Sequence, residues 1–293
     1  MIPERIKPDP IPEIRPVWEY QADGALADIY EAYKRAFQVP WVGVVSMAFA
    51  HYEHFFGLWW NSFEAVVECT AYVEACEALR RQVEELVCAL NPPPIAERLT
   101  TLGYSAREVA DIRAIIEVFS HGNFIQLPAV AAARLLLEGG SISGSLPLEP
   151  YALRRHGPQG DTPFVLLEPH HALEDMRKVY MDIKQRLNLP FVNTDYRALA
   201  RWPSYFTLAW GDLRNVLGSS EYEAIAKQMH AAVFEAARAL PNPNAVTALQ
   251  MQEAALRDAR ISEVLEVTRL FTYLLPGLVT NVAYFRAQFE PPA

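Results

Sequence analysis

The sequence predicts an all-α fold made of two related helical repeats, and two observations support this. Apolar residues recur at spacings of three and four along most of the chain, as at Leu26, Ile29 and Tyr33, and this is the spacing of one helix face. The second half of the sequence also matches the first after a shift of 150 residues. The one strand-like run, residues 164–167, is short and lies among prolines, so we expect no sheet.

The repeat is read from identical residues at this fixed offset. Between positions 30 and 60, nine residues recur 150 positions later without a gap: Tyr30, Lys34, Pro40, Val42, Ala48, Ala50, Phe56, Leu58 and Trp60. We predict a first repeat over residues 1–138, a linker rich in glycine and proline over 139–168, and a second repeat over 169–293, each repeat having roughly 130 residues. Together they are expected to form one compact domain, a pseudo-dimer with the active site between the repeats.

Composition and charge exclude several classes of protein. A chain of 293 residues with 51% hydrophobic positions can bury a full-sized core, which excludes a disordered chain, collagen or a peptide scaffold. The net charge of -9, with no basic run, argues against nucleic-acid binding. It also disfavours an anionic substrate, so a site for an acid would need a local positive element.

Targeting and cysteine patterns predict a cytoplasmic protein. Residues 1–16 lack the apolar segment of a secretory signal, and no apolar stretch approaches the roughly twenty residues of a membrane span, so we expect no membrane association. Cys69, Cys76 and Cys88 have neither a C-x-x-C pair nor metal-ligand spacing. We therefore expect reduced cysteines that serve as small core residues.

The clearest difference between the repeats follows their shared proline. The first repeat continues with the apolar residues 43–45, whereas the second continues with Asn193, Thr194 and Asp195. If Pro190 lies near the first turn of a helix, these residues lie where free backbone N–H groups attract an anion. One interpretation is a helix N-cap followed by a first-turn carboxylate. The other makes Asp195 a general base, with Thr194 and neighbouring amides holding an anionic group.

Asn123 is the second candidate because Gly122 interrupts a helical pattern. The pattern runs over residues 109–119 and resumes at Phe124, which predicts a break in the helix. The break is either an ordinary helix corner, with Gly122 at its C-terminal end and Asn123 capping the next helix, or a functional position. His51 and His54 have no third ligand at a fitting spacing, so we expect no metal site.

Six tracts, taken in order, carry a resemblance to a known family. They are Val39-Pro40-Trp41-Val42, Thr70-x-Tyr72-x-Glu74, Glu97-Arg98-Leu99 with Gly103-Tyr104, Phe119-x-x-Gly122-Asn123, residues 195–203, and Leu270-Phe271-x-Tyr273. In these tracts the chain resembles the group I 2-haloacid dehalogenases. The resemblance implies a helical pseudo-dimer that hydrolyses 2-halocarboxylic acids with inversion, without a covalent intermediate. It implies no cofactor and no metal, with the halo acid and water as the small-molecule partners.

The resemblance also assigns roles to individual residues. Asp195 matches the family's catalytic aspartate and Asn123 its water-orienting asparagine. The pocket tryptophan matches Trp41, the hydroxyl residue before the aspartate matches Thr194, and a pocket tyrosine matches Tyr273. Thr70 and Glu74 match positions that are important in some members, and we expect them to support the site without taking part in the chemistry.

Two departures from the family pattern concern the shape of the pocket. Val44 stands where the family can carry an aromatic residue, so the pocket is expected to be roomier there. Asn193 stands where members that accept both enantiomers tend to carry a small residue. A bulkier polar side chain would block the pose of the L form, so the chain resembles the D-selective members.

The implied reaction is displacement of the halide at C2 by a water that Asn123 holds and Asp195 deprotonates. A free aspartate, with a pKa near 3.9, is a feeble base, so the mechanism requires an apolar site. The substrate carboxylate would meet Thr194 and backbone N–H groups of residues 191–195. A peroxidase of the alkylhydroperoxidase kind would need a C-x-x-C pair, which the chain lacks. A helical binding scaffold of the same fold without activity stays open, as does the formation of a homodimer.

Overall fold

The all-α prediction is confirmed by a computed structural model, which describes residues 2–152, 155–159 and 162–289. Within these ranges the α-helices are α1 (Gly24–Phe37), α2 (Val44–Phe49), α3 (Glu53–Val67), α4 (Thr70–Val87), α5 (Ala96–Thr101), α6 (Ala106–Leu137), α7 (Glu174–Leu187), α8 (Thr194–Leu199), α9 (Pro203–Leu213), α10 (Ser220–Ala239), α11 (Ala248–Asp258) and α12 (Ile261–Ala287). Short 3₁₀ turns lie at Glu19–Gln21 and Cys88–Leu90. The described residues form no strand, and residues 164–167 are irregular.

Local structure recurs at the offset that the sequence predicts. Helices α7, α8, α9 and α10 begin 150 residues after α1, α2, α3 and α4. The Tyr30 hydroxyl donates to the Val17 carbonyl at 2.7 Å, and the Tyr180 hydroxyl donates to the Leu167 carbonyl at the same distance. The turns after α1 and α7 both contain a left-handed residue, with φ of 53° and 49°. The same sequence pattern therefore gives the same local fold twice, while the pseudo-dimer stays a prediction.

The chain divides into two compact units, each made of segments that are distant in sequence. The first comprises Met1–Arg80, Gly122–Gly157 and Lys227–Gly277; the second comprises Arg81–His121, Pro158–Ala226 and Leu278–Ala293. The boundaries of the repeats and of the linker stay a prediction. Around the predicted linker, α6 ends at Leu137 and α7 begins at Glu174.

Each unit has an aromatic core of its own. In the first unit the rings of Tyr33 and Phe37 lie 4.5 Å apart edge to face, and Trp60 packs against both. In the second unit Tyr196 stacks on Phe206 at 5.9 Å. All five side chains are at most 2% exposed. The two phenylalanines each contribute about 1.5–3 kcal/mol by leaving water.

Helix α6 runs unbroken for 32 residues through Gly122 and Asn123, so the predicted break at Gly122 is wrong. The glycine is required for another reason. A Cβ atom at position 122 would overlap the six-membered ring of Trp41, lying 3.1 Å from its Cζ2 and closer still to Cη2. Gly122 therefore admits an indole ring against the helix backbone and does not end the helix.

The irregular point of α6 is Pro128, which has no N–H for the carbonyl one turn earlier. One residue further on, the Tyr72 hydroxyl enters the hydrogen-bond pattern of the helix. It donates to the Ile125 carbonyl at 2.7 Å and accepts from the Ala129 N–H at 3.3 Å. A buried side chain from α4 thus bridges the two backbone groups that would otherwise pair with each other.

The cysteines and the membrane prediction can be compared with the described residues. Cys69 and Cys76 are buried, Cys88 is half-buried, and none of the three forms a disulfide. None of the helices in the described ranges combines the length and apolarity needed to cross a bilayer.

Candidate active site

The polar triplet of the second repeat lies at the start of α8, in the second unit. Asn193, Thr194 and Asp195 are 9%, 8% and 3% exposed. The helix begins at Thr194, and Pro190 lies four residues before it, outside the first turn near which it was predicted to lie. The reason is that α7 ends at left-handed Asn188, so Pro190 belongs to the turn between the helices. The triplet nevertheless occupies the first positions of a helix.

Asn193 has the N-cap position, but its side chain does not cap the helix. The backbone is non-helical there, with φ of -59° and ψ of 153°, and no side-chain capping bond is made. The Oδ1 atom is buried and accepts no hydrogen bond from any described residue. The capping interpretation therefore does not explain this side chain. A buried amide oxygen without a donor is costly, and such groups commonly have a role in binding.

Thr194 is held by a side chain that sequence reasoning missed. Its Oγ1 accepts a hydrogen bond from Nη2 of Arg197 at 3.2 Å. Nη1 of the same guanidinium donates to both carboxylate oxygens of Glu168, at 2.7 and 2.9 Å. Arg197 thus brings a positive charge to the first turn of α8. The signal that could have found it is the repeat, because Met47 stands at the matched position.

A buried polar chain supports the helix that carries Asp195. The Asn281 amide donates to the Tyr196 hydroxyl at 2.7 Å, and the Tyr222 hydroxyl donates to Asn281 Oδ1 at 2.9 Å. Burial raises the pKa of Tyr196 well above its usual value, so this hydroxyl stays neutral at physiological pH. This pairing was not predicted from the sequence, because Tyr196 and Asn281 lie 85 residues apart in the chain.

In the first unit the structure groups Trp41 with the part of α6 that contains Asn123. Both side chains are 6% exposed, and the Trp41 ring lies against Gly122, the neighbour of Asn123. Gln126, also buried, donates from its side-chain amide to the Gly122 carbonyl at 2.9 Å. Val44 is half-buried at the first position of α2. Gln126 was not predicted, and its i+4 spacing from Gly122 was the available signal.

Tyr273 lies in α12 and is contacted by the N-terminal segment. The Arg5 guanidinium lies over its ring, 4.5 Å from the centroid, and Arg5 Nε donates to the Tyr273 carbonyl at 3.1 Å. The tyrosine is half-buried. A cation on an aromatic face is attracted to the negative face of the ring and fixes its orientation.

Two solved structures resemble the chain over nearly all of its length. One is a mutant D-2-haloacid dehalogenase in complex with D-2-CPA, which is 34% identical and covers 98% of each chain with a TM-score of 0.88. Another is a D-2-haloacid dehalogenase with L-LA, which is 35% identical and covers 95% of this chain and 97% of that chain, with a TM-score of 0.86.

Curated relatives agree with these structures. An (R)-2-haloacid dehalogenase of Rhizobium sp. (strain NHG3) is 44% identical over 246 residues, which are 82% of this chain and 93% of the relative. The chain belongs to the 2-haloacid dehalogenase family. The family predicted from the sequence is thereby confirmed.

Two further members of the dehalogenase family match the chain. An (R)-2-haloacid dehalogenase of Pseudomonas putida is 37% identical over 96% of this chain and 95% of its own length. A configuration-inverting 2-haloacid dehalogenase of Pseudomonas sp. (strain 113) is 27% identical over 70% of this chain and 68% of its own length. No family model matches the chain.

Thr70 and Glu74, the residues expected to support a dehalogenase site, lie in the first turns of α4. The Thr70 N–H donates to the Glu149 carbonyl at 2.7 Å, and its hydroxyl donates to the Pro150 carbonyl at 3.2 Å. Glu74 is exposed. Thr70 thus anchors the segment at 149–150, and the supporting role of both residues stays a prediction. Tyr72, from the same tract, is the residue that reaches α6.

Metal ligation has no candidate within the described part of the chain, where no three His, Cys, Asp or Glu side chains form a cluster. His54, one of the two histidines weighed for this role, pairs through Nδ1 with Asp258 at 2.6 Å. Asp258 also accepts from the backbone N–H groups of His54 and Phe55, so it caps the start of α3.

Proposed function

We propose that the chain is a D-selective, that is (R)-selective, 2-haloacid dehalogenase that hydrolyses short 2-haloalkanoates to 2-hydroxyalkanoates. The observation that carries this proposal is the 44% identity to an (R)-2-haloacid dehalogenase over 93% of that enzyme. Asp195 is 3% exposed, and buried carboxylates are common at functional positions, which supports a chemical role.

The proposed reaction is a direct displacement by water. Asp195 accepts a proton from a water molecule that the Asn123 amide holds, and the water oxygen forms a bond to C2 on the side opposite the halogen. The carbon–halogen bond breaks, and the halide leaves with the bonding electrons. General-base assistance of this kind contributes about 10²- to 10⁴-fold. The substrates are the halo acid and water, and no cofactor is needed.

In the proposed reaction the substrate is oriented by residues 193–195 and by the residues that line the pocket. The Thr194 hydroxyl and the backbone N–H groups at the start of α8 bind the carboxylate. Asn193 limits the pocket on the side that the L enantiomer would occupy, and its Oδ1, which accepts no hydrogen bond from the described residues, can accept one from water. Trp41 and Tyr273 supply apolar walls, and Val44 leaves room that an aromatic side chain would fill.

We also propose the pseudo-dimer, in which residues of both repeats serve one reaction. The matched helix starts and the matched hydrogen bonds of Tyr30 and Tyr180 support a common origin of the repeats. Trp41 and Asn123 belong to the first repeat and Asp195 to the second. Residues 43–45, at the matched helix start of the first repeat, are apolar. The polar side chains proposed for the reaction at this helix start therefore come from the second repeat.

The test is halide and hydroxy-acid release from separate D- and L-2-chloropropionate at mildly alkaline pH, with Asp195→Asn beside the wild type. We expect the D form alone to yield L-lactate, and we expect the variant to lose this activity. Release from both enantiomers would retain the reaction and overturn the selectivity. Release from neither would favour the binding scaffold.

Direct attack can be separated from a covalent route by a single turnover in H₂¹⁸O with enzyme in excess. Direct displacement by water places ¹⁸O in the first lactate formed. Unlabelled lactate would show that a carboxylate oxygen of the protein had attacked C2, and it would overturn the general-base role of Asp195.

A further inference from the structure

Arg197 connects a carboxylate to the hydroxyl proposed to bind the substrate. Its guanidinium donates through Nη1 to Glu168 and through Nη2 to Thr194 Oγ1, so one planar group joins the two. The Arg197 side chain is 12% exposed. Its Nε is buried and donates to no described residue.

The connection is confined to the second repeat. At an offset of 150, apolar residues stand in place of all three polar partners: Trp18 for Glu168, Met47 for Arg197 and Val44 for Thr194.

The backbone around the two positions is the same in both repeats. The Leu167 N–H donates to the Arg197 carbonyl, and the Val17 N–H donates to the Met47 carbonyl, both at 2.9 Å. Packing of this turn therefore needs neither the arginine nor its partners. Three coordinated polar replacements beside Asp195 require a reason other than the fold.

The hydrogen-bond directions give that reason. A guanidinium carries only donors, so Thr194 Oγ1 must act as acceptor toward Arg197. The hydroxyl proton of Thr194 is then directed to another acceptor, and a nearby cation makes it a stronger donor. Glu168 pairs with the same guanidinium and offsets its charge, so Arg197 contributes the direction of the Thr194 hydroxyl proton to an acid-binding site and not a net positive charge. A carboxylate is an acceptor that this hydroxyl proton can serve.

We propose that Arg197 is a positioning residue that orients and polarises the Thr194 hydroxyl toward the carboxylate of the substrate, and that Glu168 fixes the guanidinium for this task. The inference rests on the proposed function, because it uses Thr194 as the carboxylate-binding group. It predicts that small monocarboxylates without a halogen bind through the same contact.

The experiment compares Arg197→Met, Thr194→Val and the double variant, which place the first-repeat residues at these positions. The readouts are KM and kcat for D-2-chloropropionate and the Kd of propionate by calorimetry, which needs no turnover. We expect KM and the propionate Kd to rise about tenfold or more in Arg197→Met, which is the scale of a lost hydrogen bond to a charged group. The value of kcat should fall less than KM rises.

The matched control is Arg201→Met, which removes the same charge from an arginine whose described hydrogen bond goes to the exposed Pro163 carbonyl. We expect this variant to leave KM and the propionate Kd within about twofold of wild type, because an exposed charge contributes little. The double variant should bind propionate no more weakly than Thr194→Val alone does, because Arg197 acts through the Thr194 hydroxyl.

Three results would overturn the inference. The first is an unchanged propionate Kd in Arg197→Met with only a lower melting temperature, which would leave the arginine a structural ion pair. The second is additive losses in the double variant. The third applies if the methionine variant fails to fold: Arg197→Lys should then raise KM at least threefold, and an unchanged KM would count against the proposal. Failure of the proposed function alone would appear as wild type that binds propionate through Arg197 but releases no halide.

Discussion

The Tyr72 hydroxyl donates to the Ile125 carbonyl inside α6, at 2.7 Å. A side chain of α4 thereby occupies a place in the backbone hydrogen-bond pattern of another helix, within one turn of Asn123. The same hydroxyl accepts from the Ala129 N–H, just after Pro128. The direction of the Asn123 side chain depends on the backbone of this turn, so Tyr72 influences a proposed catalytic residue through the helix backbone.

Replacement of this hydroxyl should be costly. Tyr72→Phe leaves the Ile125 carbonyl and the Ala129 N–H buried without their partner, which costs about 1–3 kcal/mol in the free energy of unfolding. Urea denaturation measures this. The matched control is Tyr30→Phe, whose hydroxyl bonds the half-buried Val17 carbonyl, a group that water can reach. Equal losses of unfolding free energy in the two variants would contradict the bridging role of the Tyr72 hydroxyl within α6.

Gly122→Ala should destabilise the protein although alanine favours helices. The gain in helix propensity is at most about 1 kcal/mol. Overlap with the rigid Trp41 ring is expected to cost about 1–3 kcal/mol and to displace the ring. Thermal unfolding and kcat report the two effects. Gly57→Ala in α3 is the control, because nothing lies within 4 Å of a Cβ there. That variant should be neutral or more stable.

Asn193→Ala should relax the selectivity for the D enantiomer. The variant removes volume and the amide that the proposed pocket sets against the L form, and it breaks no helix cap because the side chain makes none. We expect the ratio of kcat/KM values for D- and L-2-chloropropionate to fall about tenfold, which is the scale of a change in pocket contacts. A lower rate on the D form with the ratio unchanged would disprove this role.

The stability of the protein should fall on acidification because His230 is buried. Its ring nitrogens lie 2.9 Å from the Pro3 carbonyl and 3.1 Å from the Thr272 carbonyl. Burial is the main cause that lowers the pKa of this imidazole below its usual value, although the two carbonyls act in the opposite direction. Between the folded pKa and the unfolded value near 6.5, the unfolded chain binds more protons, so the free energy of unfolding decreases as the pH falls through this range.

Urea denaturation at pH 7.5 and pH 5.5 measures this effect. His230→Gln, which does not titrate, should lose less stability between the two pH values than wild type does. The exposed His170→Gln serves as the control and should behave as wild type. Burial also lowers the pKa of His156, so part of the pH dependence should persist in the His230 variant.

The sequence predicts the helices well because spacing and the repeat depend on local chemistry. The role predicted for Gly122 was wrong for a physical reason. A glycine that ends a helix and a glycine that makes room for an aromatic ring look the same in a sequence, and only the position of Trp41 in the fold distinguishes them. The triplet at 193–195 is visible because it breaks the match between the repeats. The same comparison of the repeats, extended by two residues, shows that Arg197 replaces an apolar residue. Its hydrogen bond to Glu168 could not be predicted, because the two residues lie 29 positions apart in the chain.

The uniform offset of the repeats also constrains how the loops can vary. From Val17 to Thr70 every matched helix start and hydrogen bond keeps the same spacing as its counterpart 150 residues later. The two matched stretches therefore have equal length, although they differ in sequence at most positions. Loop length matches more strictly than side-chain identity does. Gaps in alignments of related chains should therefore fall outside this stretch.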